Sequence, residues 1–129
     1  ARNLGTVIMG TVKGDLHDLG QNLVSVTLTA AGFKVINLGP DVAPERFVEE
    51  VRNNDAAVVG LSALLSTTME VQGQVIEALK DSDLRNRVRV IVGGAVTNQD
   101  WADEIGADDF GADAIDALAK IKRLVGINE

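Results

Sequence analysis

Short apolar segments alternate with longer amphipathic segments five times along this chain. The short segments are rich in Val, Ile and Leu, which favours strands, and the longer ones carry apolar residues at helical spacing. The pattern predicts strands over residues 6–10, 34–38, 56–61, 88–92 and 107–110. It predicts helices over residues 20–31, 44–53, 67–80, 98–105 and 112–125.

Strict alternation of strands and helices predicts an α/β fold with a parallel sheet covered by helices on both faces. Because crossovers between parallel strands are right-handed, we expect a doubly wound five-stranded sheet of the flavodoxin-like order. The sequence contains neither an internal repeat nor a low-complexity tract. We therefore expect residues 1–129 to form a single domain.

Residues with known preferences for helix ends fall at the predicted boundaries. Asp18, with Gln21 three residues later, has the pattern of a capping box at the first helix. Gly32 is placed to end that helix, and Pro44 suits the first turn of the next. The third helix has two candidate capping residues, Ser66 and Thr67. Two side chains on the later helices are interpreted as packing residues rather than as parts of a site, namely Met69 and Trp101.

The composition excludes several classes of function. The chain has no cysteine, so disulfides, thiolate catalysis and Cys-ligated metal clusters are ruled out. Its formal net charge of -7 argues against nucleic-acid binding, which needs a basic face. No apolar run approaches the length of a membrane span and no signal peptide is visible, so we expect no membrane partner and a cytoplasmic location.

The one histidine of the chain, His17, lies on the predicted loop between the first strand and the first helix. Ligands of open α/β sheets bind where such loops gather, outside the carboxyl ends of the strands. A neutral imidazole is a good ligand for a transition metal, and Asp15, two residues away, can fix its tautomer. This loop is the candidate functional centre.

Two further features follow predicted strands, and both belong to the same edge of the sheet. The hydroxyl-rich segment 62–68 follows the third strand, and Gly93 and Gly94 follow the fourth. Each feature alone is typical of an ordinary loop or turn. Their joint placement beside the Asp15–His17 loop favours a shared binding site.

The three features together resemble a known motif. Asp15-x-His17-x-x-Gly20 is followed after 41 residues by Ser62-x-Leu64, and after 28 more by Gly93-Gly94. This pattern resembles the cobalamin-binding motif of corrinoid proteins in methyltransferase systems and of the matching domain of methionine synthase. The resemblance extends over about residues 5–125.

The resemblance implies a role for each matching residue. His17 would be the lower axial ligand of cobalt, Asp15 would accept a hydrogen bond from the other ring nitrogen, and Thr68 would contact Asp15. The nucleotide tail of the cofactor would enter a slot beside the sheet. The cofactor-binding residues implied in this way are Gly14, Asp15, Leu16, His17, Asp18, Gly20, Ser62, Leu64, Ser66, Thr68, Gly93, Gly94 and Ala112.

The resemblance also implies a function, with cobalamin or a related cobamide as cofactor. The chain would carry a methyl group between partner methyltransferases while cobalt cycles between Co(I) and methyl-Co(III), as a component rather than a complete enzyme. The alternative is the cobalamin-binding domain of an adenosylcobalamin-dependent mutase, which shares the motif. A response-regulator-like module ranks last, because the third strand ends in Gly60-Leu61-Ser62 without an acidic residue.

Corrinoid proteins of this group carry a helical bundle before the motif domain, and this bundle covers the upper face of the corrin. This chain begins at Ala1, almost on the first predicted strand. We therefore expect the cap to be absent here, and the cover to come from a removed N-terminal helical domain, a partner methyltransferase or a second copy.

Overall fold

The structure is a computed structural model that describes residues 3–127. Strands and helices alternate through this range, as the hydrophobic pattern predicts. The strands are β1 (Thr6–Thr11), β2 (Lys34–Asn37), β3 (Val58–Ser62), β4 (Arg89–Gly93) and β5 (Asp109–Gly111). The helices are α1 (Leu19–Ala31), α2 (Pro44–Asn54), α3 (Ser66–Asp81), α4 (Gln99–Ile105) and α5 (Ala114–Leu124), with a 3-10 turn at Arg85–Arg87.

The strands form one parallel sheet in the order β2-β1-β3-β4-β5, which confirms the predicted flavodoxin-like topology. Thr11 of β1 pairs with Ser62 of β3, Ser62 with Gly93 of β4, and Gly93 with Gly111 of β5. These four residues therefore stand side by side at the carboxyl edge of the sheet. The loops that follow them leave the sheet at the same level, which is what brings distant parts of the sequence together.

Apolar side chains leave the strands alternately toward two cores. Helices α1 and α5 cover one face, where Leu28 and Ile121 pack against Val7, Val58 and Ile91. Helices α2, α3 and α4 cover the other face, and the side chains buried there include Phe47, Val59, Ile76, Leu79 and Val92. Since both faces are covered, strands β1, β3 and β4 read as continuous apolar runs.

The predicted helix ends are partly confirmed. Gly32 ends α1 with a left-handed φ of 112°, and Pro44 is the first residue of α2. The predicted capping box at α1 is wrong, because the Asp18 side chain makes no capping hydrogen bond. The Gln21 side chain is buried instead, and its Nε2 donates to Asn37 Oδ1 at 2.9 Å, so β2 takes the amide that a capping box would need.

The predicted cap of α3 is also wrong. The helix begins at Ser66, and Leu65 occupies the capping position without a side-chain bond. The hydroxyl of Thr68 lies 3.3 Å from the Leu65 backbone nitrogen and accepts its hydrogen, so a residue of the first turn replaces the cap. Met69 and Trp101 pack against the core on the α2–α4 face, which confirms their interpretation as packing residues. Within residues 3–127, no helix combines the length and apolar character needed to cross a membrane.

Candidate functional site

The loop between β1 and α1 is held from the side of β2. Gly14 has a left-handed φ of 90°, and its N–H donates to Asp41 Oδ1 at 2.8 Å. The N–H of Asp41 donates in turn to the carbonyl of Asp15 at 3.0 Å. The hydroxyl of Thr11 donates to the carbonyl of His17 at 3.1 Å. These bonds fix the backbone of the loop on either side of Asp15.

The Asp15 carboxylate is buried and accepts four hydrogen bonds. Its Oδ1 lies 3.0 Å from the backbone nitrogen of His17 and 2.8 Å from His17 Nδ1. Its Oδ2 lies 2.7 Å from the backbone nitrogen of Leu64 and 2.7 Å from Thr68 Oγ1. Asp15 thus joins the β1–α1 loop to the β3–α3 loop and to the first turn of α3.

These bonds determine the charge of Asp15. Burial raises the pKa of its carboxyl, but the hydrogen bonds from Leu64, Thr68 and His17 outweigh burial and hold the pKa well below its usual range. An ionised carboxylate only accepts hydrogen bonds, so the proton between Asp15 and His17 belongs to Nδ1. The neutral ring then carries its lone pair on Nε2.

The His17 imidazole is available to a ligand. Its side chain is 53% exposed, whereas the Asp15 side chain behind it is fully buried. A histidine whose Nδ1–H is held by a carboxylate presents Nε2 in one tautomer and in a fixed orientation. The arrangement can therefore supply one nitrogen ligand to a metal at the carboxyl edge of the sheet.

A cavity of about 790 Å³ opens beside His17 and runs between the sheet and helices α1 and α5. We call it the slot. Its size lies within the range of small-molecule and cofactor sites. The predicted cofactor-binding residues that line it are Leu16, His17, Asp18, Gly20, Ser62, Leu64, Gly93, Gly94 and Ala112.

The remaining predicted residues lie outside the lining of the slot. Asp15 and Thr68 stand behind His17, where Asp15 bonds its ring and Thr68 bonds Asp15. Gly14 is exposed, and its left-handed backbone shapes the loop. Ser66 is the exposed first residue of α3.

Glycines make room for the slot. A Cβ at Gly94, whose φ is 119°, would overlap the backbone carbonyl of Ala63, so the chain after β4 passes as close to β3 as two backbones allow. A Cβ at Gly60, on the wall of the slot, would overlap the thioether of Met9. A side chain at either position would displace the groups that form the walls.

Sequence reasoning missed part of the slot. Gly60 in the middle of β3, Gly111 at the end of β5, and the buried Gln21 of α1 all line it. The signal for Gly60 was present, since a glycine inside a strand pattern often marks a close approach of a ligand or backbone. Gln21 carried no such signal, because its local pattern favoured a capping residue.

The donor set fits a metal that brings most of its ligands with it. Within residues 3–127, no group of three or more His, Cys, Asp or Glu side chains could hold a bare metal ion. His17 offers a single nitrogen beside a deep and mostly apolar slot. A metal already held in a macrocycle needs only such an axial ligand, and the slot can take an appended group.

The family model described as B12 binding domain matches residues 5–119. Among curated proteins, trimethylamine corrinoid protein 2 of Methanosarcina mazei is 52% identical over 121 residues, which cover 94% of this chain and 56% of that protein. The chain thus spans little more than half the length of this relative.

Two solved structures share the fold closely. The monomethylamine corrinoid protein of Methanosarcina barkeri superposes with a TM-score of 0.90 and 34% identity, covering 95% of this chain and 58% of that one. The methanol:cobalamin methyltransferase complex from Methanosarcina barkeri contains a chain with a TM-score of 0.91 and 29% identity, covering 99% of this chain and 49% of that one.

Proposed function

The chain belongs to the B12-binding domain family, and on this premise we propose that it carries a methyl group on a bound cobamide between partner methyltransferases. Family membership confirms the cofactor predicted from the motif, cobalamin or a related cobamide. The single observation that carries the proposal is the buried Asp15 carboxylate, which orients the exposed His17 imidazole at the mouth of the slot.

In this proposal His17 Nε2 would bind the cobalt, and the slot would take the nucleotide tail. The bound cobamide supplies a cobalt centre that accepts and releases a methyl group. Asp15 holds the Nδ1 proton of His17, and Thr68 and Leu64 hold Asp15 in place.

The names of the similar proteins favour a methyl carrier over the mutase alternative. They are corrinoid proteins for trimethylamine and monomethylamine, and a methanol:cobalamin methyltransferase complex. Methylated amines and methanol are therefore the methyl donors to test first. The response-regulator alternative lacks support at β3, which ends at Ser62 rather than at a phosphate-accepting carboxylate.

Partner contact and location complete the proposal. Leu16, Leu19 and Leu23 at the rim of the slot are 72%, 74% and 55% exposed. We propose that the partner methyltransferase covers these side chains during transfer, since exposed apolar patches mark interaction sites. A helical domain outside this chain or a second copy would cover them between transfers.

The proposed location is the cytoplasm, which cell fractionation tests directly.

The ligand assignment can be tested residue-specifically, because the chain has one histidine. We expect titration with hydroxocobalamin to reach one cobalt per chain, and the Co(II) form to show EPR hyperfine coupling that changes when histidine is labelled with nitrogen-15. His17→Ala, as control, should lose this coupling and keep its fold. Coupling from the benzimidazole base of the cofactor in the wild-type chain would contradict the assignment.

A further inference from the structure

We propose that Gln72 is a positioning residue for the slot, because its side-chain amide ties the carboxyl ends of β3 and β4 together. Gln72 lies on α3, on the face of the sheet opposite the slot, and has no exposed surface. The inference rests on the proposed cobamide-binding function. It assigns a role in that function to a residue outside the motif.

One amide joins two strands. Gln72 Nε2 donates to the carbonyl of Leu61 at 2.9 Å and to the carbonyl of Gly93 at 3.2 Å. Leu61 belongs to β3 and Gly93 to β4, at the end of the register between the two strands. The Gly93 carbonyl also accepts from the Ala63 N–H at 3.1 Å. Gln72 thus acts where the sheet ends and the slot begins.

The orientation of this amide is fixed by its neighbours. The indole Nε1 of Trp101 lies 2.9 Å from Gln72 Oε1, and an indole N–H can only donate. The two backbone carbonyls on the other side can only accept. The Gln72 amide therefore has one orientation that satisfies all three partners, and Trp101 of α4 holds it there.

The walls of the slot depend on these strand ends. Leu61, Ser62, Gly93 and Gly94 line it, and the backbone at Gly94 is in close contact with Ala63. Without the Gln72 amide, the buried carbonyl of Leu61 loses a donor and the two strand ends can shift relative to each other. Such a shift changes the width of the slot at its mouth, whereas the bonds of the His17 loop to Asp41, on the side of β2, are not touched.

Two variants and two ligands test the inference on the full chain. Gln72→Met keeps the length of the side chain and removes its polar atoms, and Trp101→Phe keeps an aromatic ring and removes the N–H. Cobalamin has a nucleotide tail that needs the slot, whereas cobinamide lacks this tail. Absorption titrations give the Kd of each ligand for each variant.

We expect Gln72→Met to raise the Kd for cobalamin about tenfold and to leave the Kd for cobinamide within about threefold of the wild-type value. Trp101→Phe should raise the Kd for cobalamin to a smaller extent. If Gln72→Met does not fold, the Kd values of Trp101→Phe test the inference in its place. Ile76→Val on the same helix is the control, since it removes a buried methyl group and leaves the hydrogen bonds of Gln72 to Leu61 and Gly93 in place. It should leave both constants unchanged.

The outcomes separate the two proposals. If the wild-type chain bound neither ligand, the proposed function would fail, and this inference with it. If the wild type bound cobalamin and both variants bound it with the wild-type Kd, only the role proposed for Gln72 would be wrong. An equal loss for cobalamin and cobinamide would likewise overturn it, because it would show general support of the fold rather than positioning of the slot.

Discussion

The carboxylate of Asp15 joins two segments that are distant in the sequence, since it accepts hydrogen bonds from His17 in its own loop and from Leu64 and Thr68 after β3. A buried charge is stable only when its hydrogen-bonding capacity is used. The same bonds that make the charge tolerable also orient the imidazole. At this position, the stability of the fold and the geometry of the site therefore depend on the same contacts.

Thr68 offers a direct test of this dependence. Thr68→Val keeps the shape of the side chain and removes the hydroxyl that lies 2.7 Å from Asp15 Oδ2. Because a buried charge then loses a hydrogen-bond donor, we expect the free energy of unfolding to fall by about 1–3 kcal/mol and the affinity for cobalamin to fall as well. Thr68→Ser retains the hydroxyl and is the matched control. Equal losses in both variants, measured by urea unfolding and by titration, would assign the effect to packing.

At the scale of elements, two carboxylates accept backbone hydrogen bonds at the N-terminus of α5, those of Asp113 and Asp116. Asp113 accepts from the backbone N–H of Asp116, and the Asp116 carboxylate accepts from the N–H of Ala112 and from Lys120. The bond from the Ala112 N–H and the bond from Lys120 hold the pKa of Asp116 below its usual value.

The sign of the pH dependence follows from that lowered pKa. The contribution of Asp116 is fully present above the pKa of an unfolded aspartate, about 4, and is lost as the pH falls through the lower value of the folded state. We expect Asp116→Asn to lower the free energy of unfolding at pH 7, with a smaller difference at pH 3. Asp81→Asn, at the exposed end of α3, is the control. An effect of Asp116→Asn that did not shrink with falling pH would contradict this account.

The connection after β4 depends on Gly94. Gly94→Ala combines a left-handed backbone with an overlap between its Cβ and the Ala63 carbonyl. Gly106→Ala, at a φ of 80° with nothing within 4 Å, measures the cost of a left-handed alanine without a steric overlap, about 1–2 kcal/mol. We expect Gly94→Ala to cost clearly more than the control in thermal unfolding and to impair cobalamin binding. Equal costs would show that the close approach to Ala63 has no energetic weight.

The sequence predicts the strands and helices of this fold well for a physical reason. Strands buried on both faces must be apolar throughout, and the helices between them carry their own period, so each leaves a local signal in the chain. The motif predicted that Asp15, His17 and Gly94 lie at the carboxyl edge of the sheet, because short spacings and glycines are visible in the local sequence.

The contacts of Gln72 and Asp41 were not predictable, since their partners lie on other elements and leave no local pattern. The capping prediction at Asp18 was wrong because Gln21 bonds to a side chain of β2.

At the scale of the whole molecule, the slot lies between the sheet and two of the five helices that residues 3–127 form, α1 and α5. A ligand that binds the folded state and not the unfolded state stabilises the fold by about 2.7 kcal/mol when its free concentration is a hundred times its Kd. We expect saturating cobalamin to raise the thermal midpoint and to slow amide exchange in α1 and α5. Exchange in α2 on the opposite face, measured in the same experiment, is the internal control. Equal protection of all helices would argue against this slot as the binding site.

The left-handed backbone of Asp41, with a φ of 57°, ties the β2–α2 loop to the loop that carries His17. Together with the bonds from Leu64 and Thr68, this contact anchors the histidine loop to the strands on both sides of β1. We therefore expect the loop to be ordered before a ligand arrives. Little conformational entropy is then left to lose at the binding step. We expect the association rate to be governed by the passage of the ligand into the slot, without a slow phase from rearrangement of the loop.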